Sequence, residues 1–165
     1  MKKFSNNCKR IVLICMVILC VGSGCKEKLP IAEEISYKEV AKDTSKDALL
    51  NNIGARPNET QKQDNMDSYI YNDSKYLSYS GKMTYCLVED KVLFSKWETT
   101  ADTKKKGEKI YDAVCKDLSK TCKKDTETED NISKASTWKD SDGKEKRVLY
   151  MKGEKNITIS ITSTE

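Results

Sequence analysis

The chain has 165 residues, of which 34% are charged, with a formal net charge of +4, seven cysteines and no histidine. The lack of histidine excludes Ser-His and Cys-His nucleophile pairs and removes the commonest transition-metal ligand. Lys2, Lys3, Lys9 and Arg10 carry the whole positive excess, so the chain beyond its first 24 residues is balanced and has no basic field to draw in nucleic acid.

Those four cations precede the apolar run Ile11 to Val21, with no carboxylate before it. The run is long enough for the apolar part of an export signal and short of the roughly 20 residues that span a bilayer. The small residues Gly22-Ser23-Gly24 follow, and then Cys25. This stretch resembles the lipobox of bacterial lipoproteins, although Gly22 stands where an aliphatic residue is usual. The resemblance implies cleavage of a signal peptide, 1–24, and acylation of Cys25. The mature protein would then be lipid-anchored at the cell membrane on its extracytoplasmic face. The alternative is an uncleaved N-terminal anchor in which Cys25 is an ordinary thiol.

Residues 25–43 read as the lipidated cysteine and a flexible tether, because Lys26 to Asp43 is charged and lacks a sustained apolar stripe. A short helix follows: Thr44 or Ser45 caps it, Ala48, Leu49, Leu50 and Ile53 form its apolar face, Gly54 stops it and Pro57 prevents its resumption. After a polar loop come two tyrosine-rich runs, Asp67 to Asp73 and Tyr76 to Tyr79. Lys82 to Val88 and Val92 to Trp97, joined at Glu89-Asp90-Lys91, read as a β-hairpin with Met83, Tyr85 and Leu87 on one face and Thr84, Cys86 and Val88 on the other. Ile110, Val114 and Leu118 recur every four residues and predict a helix from Thr103 to about Lys123. Asp125 to Lys134 reads as a polar loop, 135–139 and 146–151 as strands, and Asn156 to Thr162 as a strand burying Ile157, Ile159 and Ile161.

Set side by side, the halves 44–99 and 103–163 share one plan. Leu50 to Thr60 aligns with Leu118 to Thr128, and Gly81-Lys82 with Gly143-Lys144. The fold class expected from this is α+β, a single domain over 44–165 built of two α-βββ units in tandem, with both helices packed on one face of an antiparallel sheet. The layout resembles the tandem helix-plus-sheet units of β-lactamase-inhibitor-protein-like domains, and one unit resembles the envelope lipoprotein BamE, with Ile53-Gly-Ala-Arg-Pro57 as the local motif. That resemblance implies a binding or scaffolding module without catalysis.

Five tyrosines, Tyr69, Tyr71, Tyr76, Tyr79 and Tyr85, are interleaved with serines, a combination suited to adaptable binding surfaces and equally to filled strand faces. The expected binding site is an open sheet face centred on Tyr69, Tyr71, Tyr79 and Trp138 and holding an envelope protein or peptide. No residue set points to a cofactor, a metal or a catalytic centre: the cysteines lack the CxxC spacing of zinc sites, and no phosphate loop is present. The alternative function is a cysteine-dependent redox or enzymatic protein using Cys86 or Cys122. Cys115 and Cys122, seven apart on one expected helix, are too distant to bridge, so the alternatives are a bridge from Cys86 to one of them, if the helix packs on its strand, and free thiols filling the core.

Overall fold

The computed structural model describes residues 29–153 and 156–164. The expected signal peptide, 1–24, and Cys25 lie outside the described residues. In chain order the elements are β1 (Ile35–Ser36), α1 (Lys46–Ile53), β2 (Glu59–Gln63), β3 (Met66–Tyr76), β4 (Tyr79–Val88), β5 (Lys91–Ala101), α2 (Lys104–Leu118), β6 (Lys123–Glu129), β7 (Ser133–Lys139), β8 (Glu145–Lys152) and β9 (Ile157–Thr164).

Of the described residues, 54% are extended and 17% helical. This overturns the expected α+β fold of two α-βββ units: the protein is mostly β, and its strands form one nine-stranded mixed sheet. The order is β1-β3-β4-β5-β9-β8-β7-β6, with β2 also on β3. β1 runs parallel to β3, and every other pair is antiparallel. The strands not foreseen are β1, β2 and β6. β2 and β6 are exposed along their whole length and read Glu-Thr-Gln-Lys-Gln and Lys-Lys-Asp-Thr-Glu-Thr-Glu. They bury no side chains, so they carry no apolar alternation, and backbone pairing alone makes them strands. Their charges also discourage further strands from adding to the sheet.

Local signals explain the rest. Ser45 caps α1 by accepting from Ala48 N at 3.3 Å, and Gly54 ends it at φ 77°. Thr103 caps α2 through Lys106 N at 3.3 Å. Glu89 and Asp90, at φ 50° and 58°, join β4 to β5 in the two-residue turn that suits strand twist. Leu77 and Ser78 do the same for β3 and β4, at φ 50° and 69°, without the Asn or Gly that marks such a turn in sequence. Gly81 lies inside β4. There a Cβ would fall 2.5 Å from Glu98 O and 2.7 Å from the Trp97 ring, so glycine provides room for the indole.

The inward face of the sheet carries Tyr71, Met83, Tyr85, Trp97, Ile159, Ile161, Val148 and Trp138, none more than 1% exposed. Ile110, Tyr111, Val114 and Leu118 of α2 join this core. Gly107 lets the helix come close, because a Cβ there would meet Ile157 Cγ2 at 2.7 Å.

Residues 30–43, expected as tether, instead form a strap across this face. Ala32 and Ile35 are buried, Tyr37 N donates to Lys75 O at 2.7 Å, and Tyr85 Oη donates to Lys38 O at 2.6 Å. Glu39 pairs with Lys146 at 2.7 Å and accepts from Ser163 Oγ. Apart from the two residues of β1, the strap crosses strands outside any regular element, so its apolar residues have no helical or strand period to read.

Candidate functional site

Alternation along each strand sends every second side chain to the face opposite the core, and the register aligns these into rows. Thr84, Lys96, Thr162, Arg147 and Thr137 form one. Lys82, Glu98, Ser160, Leu149 and Ala135 form the next, followed by Thr100, Thr158, Met151 and Ser133. This outward face is rich in hydroxyls and small side chains. Ile70, Cys86, Ala135 and Ser160 are buried among their neighbours on it, Phe94 and Leu149 are half-buried, and Met151 is 46% exposed. Lys96 and Lys82 both reach Glu98, the second at 3.7 Å. Arg147 is exposed and forms no ion pair among the described residues. The face therefore carries more positive than negative charge at its centre, on a ground of adaptable hydrogen-bonding groups.

The residues expected to centre an open face lie on the other one. Tyr69 is 5% exposed, Tyr71 and Trp138 are wholly buried, and Tyr79 is half-buried against the core cluster. Tyr71 Oη donates to Ala55 O at 3.1 Å, and Trp138 Nε1 donates to Ser119 Oγ at 3.2 Å. Their polar ends are thus satisfied by neighbouring chain, and they hold α1 and the end of α2 onto the sheet. Trp97 is likewise fully buried, its Nε1 donating to Ser74 O at 3.2 Å. Tyrosine and tryptophan suit core and interface equally, so their spacing alone does not distinguish the two. A signal for the true outward face was present in β9: the positions between its buried isoleucines, Thr158, Ser160 and Thr162, must face away from the core.

The cysteines Cys86, Cys115 and Cys122 are all free thiols. Cys86 points outward beside Ser68 Oγ at 3.6 Å, and burial raises its pKa. Burial pushes the Cys115 thiol up to about 11. Cys122 is buried beyond the end of α2, not on it as expected. The bridge from Cys86 is absent because Cys86 faces outward, whereas Cys122 belongs to the core and Cys115 packs against it.

A separate cleft of about 290 Å³ lies between the first turns of α2 and the β6–β7 turn, bordered by Lys104, Glu108, Tyr111, Ile132, Lys134 and Tyr150. Its charges pair with neighbours, Lys104 with Glu108 at 3.6 Å and Lys134 with Glu129 at 3.5 Å. No group of three or more metal-ligating side chains exists among the described residues, and no described helix is long and apolar enough to cross a membrane.

Comparison with known protein families, curated proteins and solved structures gives no match for this chain. The likeness to β-lactamase-inhibitor-protein-like and BamE-like modules thus rests on sequence pattern alone.

Proposed function

We propose that this protein is a membrane-anchored extracytoplasmic lipoprotein whose outward sheet face binds another envelope protein, without catalysis. The observation that supports the reading is the one-sided covering of the sheet. The strap and α2 bury one face, while no described helix lies on the other, where half-buried threonines surround Leu149, Met151 and exposed Arg147, with Ser160 packed between them. From β3 to β7 the face spans five strand spacings, about 24 Å, by roughly 24 Å along seven-residue strands. That area approaches the share one partner contributes to a standard protein interface, about 800 Å². The excess of Lys82, Lys96 and Arg147 over Glu98 favours a partner with an acidic surface.

The cysteine-based alternative needs an accessible thiolate of lowered pKa. Cys86 and Cys115 are shifted the other way, and Cys122 is buried.

The test is site-specific photocrosslinking in native membranes, with the crosslinker at Thr162 or at Lys105 on the exposed side of α2. A partner captured from Thr162 and not from Lys105, and weakened at least about tenfold (~1.4 kcal/mol) by Arg147→Glu, is the expected result. Equal capture from both sites, or none from Thr162, overturns the reading.

A further inference from the structure

The geometry points to the β1–β2 edge of the sheet as a lipid-contacting surface that rests on the bilayer, with Ile31 as its apolar contact. The inference rests on the reading of Cys25 as the anchor. Arg56 clamps the chain where the described residues begin: its Nε donates to Leu29 O at 2.7 Å, its backbone N donates to Pro30 O at 2.7 Å, and Ala32 N donates to its carbonyl at 3.0 Å. Only Lys26, Glu27 and Lys28 separate Cys25 from that clamp. Four residue steps span at most about 14 Å. A flexible tether of 25–43 would instead allow a root-mean-square reach of about 23 Å and excursions well beyond it.

The clamp therefore holds one corner of the domain close to the headgroups. That corner presents Ile31, 57% exposed, beside Leu50, Pro57 and Thr60. An exposed isoleucine held this near a bilayer gains by entering the boundary between headgroups and acyl chains.

The arrangement also orients the sheet. From β2 to β6 the strand order covers seven spacings, about 34 Å, so charged β6 is the edge farthest from the membrane. The outward face then stands upright from the bilayer and is offered sideways, to a partner anchored in the same membrane.

The test uses the full chain in its native lipidated form, reconstituted in phosphatidylethanolamine and phosphatidylglycerol vesicles that contain lipids brominated on the acyl chains. Ile31→Trp and, on β6, Thr128→Trp are compared with the unsubstituted protein. Bromolipid is expected to quench the added emission of Ile31→Trp and leave that of Thr128→Trp unchanged. A ten-residue Gly-Ser insertion between Lys28 and Leu29 should reduce that quenching. If Ile31→Trp is quenched no more than Thr128→Trp, the inference is overturned. Intact mass separates the two readings: acylated Cys25 with an unquenched Ile31→Trp refutes membrane contact but not the anchor. An uncleaved leader with a quenched Ile31→Trp does the reverse.

Discussion

Replacing Trp138 with alanine tests directly whether this indole is core or binding surface. It is fully buried, donates from Nε1 to Ser119 Oγ at 3.2 Å, and has Lys124 Nζ 5.9 Å from its ring centroid. Truncation of a buried tryptophan costs about 3–5 kcal/mol, a large share of the roughly 5–15 kcal/mol that holds a domain folded. At about 3–5 °C per kcal/mol for a domain of this size, Trp138→Ala should melt on the order of 10–20 °C lower, measured by circular dichroism. Trp138→Phe keeps most of the packing and loses the hydrogen bond, for about 1–2 kcal/mol. Arg147→Ala, on the outward face, should stay within about 0.5 kcal/mol of the unsubstituted protein. A Trp138→Ala protein that melts within 2 °C or so of the parent refutes the assignment of inward and outward faces.

Two further predictions concern titration. Burial raises the pKa of Tyr37, Tyr76, Tyr85 and Tyr111 and pushes Tyr71 up to about 12. The unfolded chain therefore loses these protons first, near the ordinary 10.0, and binds fewer protons than the native state above that pH. Stability from these groups is intact below about pH 10 and falls as pH rises. The tyrosinate absorbance of these five, out of eight tyrosines in the chain, should thus appear together with cooperative unfolding; a gradual titration of all eight in the native protein centred near 10 would contradict the burial. Among the cysteines, Cys115 should hold about a hundredfold less thiolate at neutral pH than an ordinary cysteine. Cys86 and Cys115 should react sluggishly with a thiol reagent until denaturant is added, and rapid labelling of native protein at either would restore the redox alternative.

The sequence by itself determined the elements whose side chains are sorted by water. Ile157, Ile159 and Ile161 alternate, Ile110, Val114 and Leu118 recur at helical spacing, and the Val88 to Lys91 turn joins alternating strands; each element is present, although the helix ends at Leu118 and not near Lys123, where β6 begins. Capping residues Ser45, Gly54 and Thr103 also act where expected, because their role depends only on adjacent backbone. What the tertiary structure decided is everything set by a remote partner. β2 and β6 exist because β3 and β7 offer free backbone donors and acceptors, a fact no residue within them records. The strap is fixed by Lys75, Lys146 and Ser163, far along the chain from Tyr37 and Glu39. Which face is covered, and so whether Tyr71 and Trp138 are core or Arg147 and Thr162 are surface, follows from the placement of α1, α2 and the strap. Amphipathic aromatic side chains satisfy either environment, so only packing could choose between them.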